Sequence, residues 1–547
     1  MAFRIKTNTS SRTGMQTTSR FWNSHSSVSI KDRTLEDSGI PLDFRDGRAV
    51  LSAPENHCMI CAASGKGKTR RELYPAVIMA ARAGRSLVIA DMKGEIFKNT
   101  GATVKQCGHE IRIINLRNPS CSDRYSPLSI VQKYWRRGDR SRAMILLKDT
   151  CTIVTEKLRC DRDKFWENAT QDLILGFAIL LLEKDAPLTF CNIHSLINEY
   201  FGEKEFRDEY IARLDRNAES FRRLATVVNL ESDTTLSCVL SEANAALSCY
   251  VDQKAVRNLL SASDLELTDI GRKPTAVYLM CPDESTALYG IASLFIEQCY
   301  SELINFADST EQNRLPVKVD FILDEFGSFV GSNWPSKLTA ARSRGIRFTL
   351  AIQALSQLVA RYGESGARTI MANCRTLVFM GGRDLKLLNE ISMLSGTMTD
   401  ERIGIARPVL SINDLSTLPM GEIVVLDDSG LPYIGHLPEW SNWEILGCAS
   451  QQKSIQTDEE ADSPVSLRTL LGISADTPRQ DVPDEPLPSK EPEEEDALEK
   501  AVQRGMTIQS VMQKLDSDPE FTEQLQRLLE EKDTPVTKID DDDELPF

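Results

Sequence analysis

The 547-residue sequence has no apolar run long enough to cross a membrane. Its longest, residues 173–182, is closed by Asp172 and Glu183, whereas a span needs about 20 residues. The Ser/Thr-rich N-terminus is neither a signal peptide nor an anchor, so the sequence predicts a soluble, cytoplasmic chain. Histidine is scarce, at five residues, and cysteine numbers 13 without a disulfide-like spacing. An odd count, set mostly in apolar runs as at Cys281 and Cys299, points to buried thiols in a reducing compartment. Cys58 and Cys61 form the one C-x-x-C, with only His57 nearby and no second pair, which argues against a zinc site. The chain also lacks a basic surplus: 64 Lys and Arg face 80 Asp and Glu, a net charge of −16. Polyanion binders usually carry the opposite excess. However, residues 451–547 hold ten basic and 26 acidic side chains, which is the whole deficit. Residues 1–450 are neutral, and the total says nothing against a nucleic-acid partner there.

The length allows a few compact units with substantial cores. Residues 1–45 read as a polar leader docked through Phe21 and Trp22. From 46 to 120, short apolar runs (57–63, 86–91, 111–116) alternate with a helical stretch at 69–82. That alternation predicts a parallel sheet covered by helices. Residues 121–260 lose the strand signal while 143–155, 165–182 and 219–228 show helical periodicity, so an all-α module is predicted there. Strands resume at 276–281, 319–323, 348–352, 376–379 and 422–426. The predicted fold is therefore α/β, one mostly parallel sheet formed by 46–120 and 261–448 and interrupted by a helical insertion. Residues 449–547 are rich in Asp, Glu, Pro, Ser and Gln. They read as a largely disordered acidic tail with a helical element near 495–532.

Ala62-Ala63-Ser64-Gly65-Lys66-Gly67-Lys68-Thr69 has the form G-x-x-x-x-G-K-[ST] except for Ala at the first position. An apolar run leads into it and a helix opens at Thr69. Backbone N–H groups from Ser64 through Thr69 and the helix dipole would cradle a triphosphate, Lys68 would reach the β and γ oxygens, and Thr69 would ligate Mg²⁺. Ala62 is tolerable if its φ is negative. A second apolar run ends in Asp324 and Glu325. An Asp at a strand end beside the phosphate-loop strand is placed to complete the Mg²⁺ shell, and an adjacent Glu to polarise the attacking water. Together these motifs predict ATP hydrolysis. Gln353, at the end of 348–352, is a candidate γ-phosphate sensor. Arg342 and Arg344 are either a solvated pair or a source of a guanidinium across a subunit interface.

Further motifs carry a resemblance: Asp91-Met92-Lys93-Gly94-Glu95, Phe165-Trp166-Glu167-Asn168-Ala169, Leu323-Asp324-Glu325-Phe326-Gly327, Gln353-Ala354-Leu355-Ser356-Gln357-Leu358 with Tyr362-Gly363, and Asn373-Cys374 leading to Ser392 and Gly396. In this order they resemble the TraG-type coupling proteins of conjugation and type IV secretion, over roughly residues 20–440. The resemblance implies a RecA-like motor with an inserted all-α domain, assembled as a hexamer. Such motors use ATP and Mg²⁺ to drive a relaxase–single-stranded DNA complex to the secretion channel. It implies catalytic roles for Lys68, Glu325, Gln353 and Arg342, with Arg344 the second choice for the arginine finger. It also implies that the helical insertion contacts the substrate. Two departures stand out: Met92 replaces the usual Pro, and the membrane-spanning helices with which family members usually begin are missing. A separate membrane protein would then hold the chain at the inner face of the membrane, or it would act as a soluble shuttle. A competing reading keeps the nucleotide as a switch for docking secreted proteins and pumps no DNA.

Two other features stay open at this level. Lys133-Tyr134-Trp135-Arg136-Arg137, with Arg140 and Arg142, is either a single-strand contact or a helix whose rings pack inward. The last residues, Ile539-Asp540-Asp541-Asp542-Asp543-Glu544-Leu545-Pro546-Phe547, resemble the C-terminal tip of bacterial single-stranded-DNA-binding proteins. That tip enters basic-rimmed pockets on the partners of those proteins; the alternative is a solubilising acidic end.

Overall fold

A computed structural model describes residues 25–473 except 157–163, 204–206, 229–232, 283–286, 330, 332, 400–405, 428–431 and 444–463. Phe21, Trp22, the 495–532 helical pattern and the Pro546-Phe547 end lie outside the described residues.

The apolar runs become strands buried along their whole length: β4 (Cys58–Cys61), β5 (Ser86–Asp91), β7 (Thr275–Met280), β8 (Val319–Leu323), β9 (Ile346–Ile352) and β10 (Thr376–Phe379). Runs without polar alternation require cover on both faces, the usual condition of parallel strands. Together with β6 (Glu110–Asn115), β13 (Glu422–Leu426) and β14 (Tyr433–His436), they form one nine-stranded sheet in the order β14-β13-β10-β4-β9-β8-β5-β7-β6, while β11 (Thr397–Thr399) and β12 (Ala406–Pro408) pair apart from it. Strands β10 through β6 run parallel, and β13 and β14 are antiparallel at one edge. Alternate residues feed two cores. Met59, Cys61 and Phe348 belong to one, and Cys58, Ile60 and Ala351 to the other. Cys58 and Cys61 therefore point to opposite faces and cannot share a metal ion. Burial raises both thiol pKa values, Cys61 to about 12. Their neighbour His57 is a core residue: Nε2 donates to the Leu338 carbonyl at 2.7 Å and Nδ1 accepts from Phe348 N at 2.9 Å. Burial lowers its pKa to about 4.

One expectation about the sheet is corrected. The Asp324 strand, β8, does not lie beside the phosphate-loop strand β4; β9 intervenes, with Cys61 opposite Ile352 and Leu323 opposite Leu350. Strand order depends on which non-local edges meet, and each strand's own composition is the same in either order.

The 1–45 leader boundary also shifts. β1 (Ser26–Ser29) and β2 (Pro41–Arg45) flank β3 (Arg48–Leu51) in a separate three-stranded antiparallel sheet. Ile30, Ile40 and Leu42 are buried, and Tyr433 of β14 donates its hydroxyl to Asp43. These strands hold four or five residues, too few for periodicity to register, and pairing stabilises them.

Between β6 and β7 the described residues form helices and no strand. The longest, Lys164–Glu183, carries the 173–182 run as core rather than as a membrane segment. No helix among the described residues is long and apolar enough to cross a membrane. Gln298, on the motor helix Tyr289–Asp308, ties the insertion down by accepting from the Tyr125 hydroxyl at 2.7 Å and donating to the Pro127 carbonyl at 2.9 Å. The segment after 449 is not all tail. The short helix Leu467–Leu471 packs on the insertion, where Glu199 accepts from Leu467 N at 2.7 Å and Arg468 N at 3.1 Å. Leu467 and Leu471 are buried. A five-residue helix has no readable period.

Candidate functional site

Because the seven strands from β10 to β6 run parallel, their C-terminal ends share one edge, and Ser64–Thr69, Asp324, Glu325 and Gln353 emerge there. The chain leaves β4 at Cys61. Ala62 N donates to the Ile352 carbonyl at 3.0 Å and Ala63 N to the Gly381 carbonyl at 2.9 Å, which pins the loop between β9 and β10. Ala62 is not among the positive-φ residues, so its Cβ meets no backbone penalty. The two positions that need glycine have it: Gly65 at φ 78° and Gly67 at φ 87°. A Cβ on Gly67 would also press on the Arg71 side chain at 2.9 Å.

The helix that follows does not start as the sequence predicts. Lys68–Leu73 form a π-helical turn before the α-helix Tyr74–Arg82. Such insertions recur at functional sites because they re-aim side chains by a residue. Lys68 is 8% exposed, and its Nζ lies 2.7 Å from Asp324 Oδ1 and 2.9 Å from Glu325 Oε1. Burial opposes its charge, but the two carboxylates outweigh burial and raise its pKa. For Asp324 burial raises the pKa and Lys68 opposes, with the net direction upward. Glu325 sits at φ 53°, a left-handed conformation uncommon outside glycine, which turns the chain sharply after β8.

Gln353 Nε2 donates to Glu325 Oε1 at 2.7 Å, and Gln353 N donates to Gln357 Oε1 at 3.2 Å. The insertion of β9 beside β8 makes this contact possible. The ammonium, two carboxylates and an amide thus converge at one spot. Ser64 and Gly65 are exposed, and Lys66, Gly67 and Thr69 half-exposed, around it. An ammonium at a glycine-rich turn suits phosphate oxygens, and a buried Asp beside that ammonium suits a hard cation. The residues fit a nucleotide triphosphate with Mg²⁺. Lys66 is drawn aside, its Nζ donating to the Leu418 carbonyl at 3.3 Å.

Arg342 and Arg344 are not brought to this spot. Their turn precedes β9, at the opposite edge of the sheet; seven strand residues separate the two ends by roughly 20 Å. Arg344 is held by Asp308 at 2.6 Å and the Ala340 carbonyl at 3.1 Å. Arg342 Nε is buried without a hydrogen-bond partner among the described residues.

Two side chains near the site carried no assigned role in the sequence. Asp91, at the end of β5, accepts from Phe97 N at 2.8 Å, and burial raises its pKa to about 6 against those backbone donors. Asp384 accepts from Leu355 N at 2.9 Å and from Lys386 N at 3.0 Å, linking the start of the helix after Gln353 to the loop after β10. The strand-end position of Asp91 was a signal available in the sequence; Asp384 had none beyond an Asp preceding a helix.

The 133–142 cluster is largely engaged. Lys133 pairs with Glu266 at 2.6 Å, Arg136 with Asp185 at 3.0 Å, and the Tyr134 hydroxyl donates to Glu302 at 2.8 Å.

The family model described as "Type IV secretory system Conjugative DNA transfer" matches residues 11–414. A curated relative, "Type IV secretion system-coupling protein VirD4" of Bartonella quintana (strain Toulouse), is 25% identical over 267 residues, 42% of this chain and 40% of its own length. The chain thus spans less than half of that relative. Among solved structures, the plasmid coupling protein TrwB in complex with the ATP analogue ADPNP superposes with a TM-score of 0.54 at 18% identity, covering 74% of this chain and 89% of that one. TrwB in complex with ADP and Mg²⁺ gives 0.53 at 18%, covering 74% and 90%. At these identities the likeness establishes the fold, which is RecA-like.

Proposed function

Because the chain belongs to the type IV secretory conjugative DNA transfer family, we propose that it is an ATP-hydrolysing coupling protein that recruits a relaxase–single-stranded DNA complex and drives it to a type IV secretion channel. The observation that carries the hydrolytic reading is the convergence of Lys68, Asp324, Glu325 and Gln353 at one edge of the sheet. Residues Ser64 to Thr69 would hold the phosphates, with Lys68 on the β and γ oxygens. Mg²⁺, held by Thr69 and Asp324, would supply charge neutralisation at the transferring phosphoryl group. Glu325 would orient and deprotonate the attacking water. Gln353, already bonded to Glu325, would pass the γ-phosphate's presence into the helix Leu355–Asn373. Arg342 lies too far away to act on its own chain's phosphates, so it would serve a neighbouring copy in a homo-hexamer. Arg344 is the weaker candidate because Asp308 holds it. The coupling protein TrwB, solved in complex with ADP and Mg²⁺, supports the same cofactors here.

The working place would be the cytoplasmic face of the membrane, reached through a separate membrane protein. The acidic Pro-Phe end would recruit proteins of the kind that recognise single-strand-binding-protein tips. The test is Glu325→Gln with single-stranded DNA added. Loss of ATP turnover by about 10²-fold or more, with nucleotide binding kept and transfer abolished, is expected. If DNA neither binds nor accelerates turnover and the variant still delivers substrate, the motor reading fails and a nucleotide-switched docking platform replaces it.

A further inference from the structure

Strands β13 and β14 add an antiparallel pair to one edge of an otherwise parallel sheet. Because β13 runs against β10, its start at Gly421 and the exit of β14 at Leu437 lie at the same edge as the phosphate loop. Leu437 N donates to the Gly421 carbonyl at 2.8 Å, which closes the open end of the pair. Arg71, one turn after Gly67 in the π-helical turn, reaches this end. Its Nη1 donates to the Leu437 carbonyl at 2.9 Å and its Nη2 lies 3.2 Å from Glu439 Oε2, with the side chain 15% exposed. Glu439 also accepts from Arg70 Nε.

Two glycines make room for this side chain. The Arg71 stem fills the place that a Cβ on Gly67 would take, and a Cβ on Gly421, at φ 89°, would come within 3.1 Å of Arg71 Nη1. The seat itself is anchored. Leu437 and Trp443 are buried, Trp440 meets the Tyr74 ring edge-on at 5.4 Å, and His436 N donates to Asp43 Oδ1 at 2.8 Å. A neighbouring contact acts in the same sense: Lys66, beside Gly67, donates to the Leu418 carbonyl three residues before Gly421. A guanidinium bonded to a carbonyl and a carboxylate makes charge-assisted contacts whose directions its planar fork fixes. The loop is thus held from the sheet's antiparallel edge as well as from β9 and β10.

We propose that Arg71 is a positioning residue for the phosphate loop. It ties the Gly67 turn to the open end of the β13–β14 pair, with Gly421, Leu437 and Glu439 as its seat, so that the loop's backbone N–H groups stand ready for a triphosphate. The antiparallel pair then acts on the nucleotide site without touching the nucleotide. This rests on the nucleotide reading of Ser64 to Thr69 given above. A loop already held in its binding geometry loses less freedom when nucleotide arrives, and the gain appears as affinity. Lys68, Glu325 and Gln353 are bonded to one another, so turnover at saturation does not depend on Arg71.

The experiment follows ATP turnover of the full chain against ATP concentration at saturating Mg²⁺, with the Kd of a fluorescent ATP analogue read alongside. Arg71→Ala should raise KM and Kd about tenfold and leave kcat within about threefold. Glu439→Gln, a change at a partly exposed side chain whose unfolding midpoint should match the parent, should raise KM about threefold. Added to Arg71→Ala it should raise KM no further, because both act through one contact. Gly421→Ala keeps Arg71 but crowds its seat, and should raise KM as well. Parental KM and Kd in Arg71→Ala, or effects of Arg71→Ala and Glu439→Gln that multiply, overturn the proposal. A loss confined to kcat also overturns it, since Arg71 would then act on the reacting groups. An unmodified chain that neither binds the analogue nor hydrolyses ATP removes the nucleotide reading and the proposal together, whereas an active parent with an indifferent Arg71→Ala removes the proposal alone.

Discussion

Replacing Lys68 with Ala tests the centre of the site in two independent ways. The ammonium is 2.7 Å from Asp324 and 2.9 Å from Glu325, with side-chain exposures of 9%, 11% and 22% for the three groups. Removing one partner of a buried pair costs about 3–5 kcal/mol when burial is complete. Partial exposure of Glu325 and proton uptake by Asp324, whose pKa burial already raises, bring the expected loss to about 2–3 kcal/mol. Glu325→Gln added to Lys68→Ala removes the like-charge contact and should recover part of that loss, so the two substitutions should be non-additive by about 1 kcal/mol. The second effect concerns ligand linkage. ATP with Mg²⁺ at a hundred times its dissociation constant should stabilise the unmodified protein by about 2.7 kcal/mol, and Lys68→Ala should show no such shift. Denaturant unfolding with and without nucleotide reads both quantities. A variant that is as stable as the parent and keeps the nucleotide-dependent shift would refute the assignment of Lys68 to both the ion triad and the phosphates.

Two further outcomes follow from buried carboxyl groups. Asp91 has its pKa raised by burial to about 6 from 3.8. The stability it permits is fully present below pH 3.8 and is lost as pH rises through 6, by an upper bound of about 3 kcal/mol at 1.36 kcal/mol per unit. Asp91→Asn should therefore gain stability over the parent progressively between pH 4 and 7 in thermal unfolding; a difference that is flat with pH contradicts this. Glu72 is wholly buried, neither carboxyl oxygen has a hydrogen-bond partner among the described residues, and burial drives its pKa well above 4.5. Glu72→Leu should stabilise the protein by about 1–3 kcal/mol, raising the unfolding midpoint, and a lowered midpoint would mean the carboxyl has an essential partner.

The phosphate loop was readable because its chemistry is local: Gly65 and Gly67 supply the positive φ, and Lys68 and Thr69 must follow a turn to meet a phosphate. Asp324 and Glu325 were readable because an apolar run that stops at two carboxylates marks a strand's end. The fold class was readable as well, since strands buried on both faces carry continuous apolar runs while the 121–260 segment does not. Strand order was not: β8 and β9 have compositions that permit either neighbour for β4. Nor was the π-turn at Lys68–Leu73, because it arises from how the helix start meets the sheet. The leader strands and the helix Leu467–Leu471 were too short to leave a pattern.

Read along the chain alone, the residues show which positions suit phosphate, where the strands and most helices lie, and that the negative charge collects after residue 450. Tertiary structure alone decided that Gln353 touches Glu325, that Arg342 stands at the far edge from its own phosphate loop, and that residues 464–473 close the helical insertion. Composition and periodicity act over a few residues and survive in one dimension. Contacts between positions tens to hundreds of residues apart depend on which surfaces exclude water together, and that choice is made only when the whole chain packs.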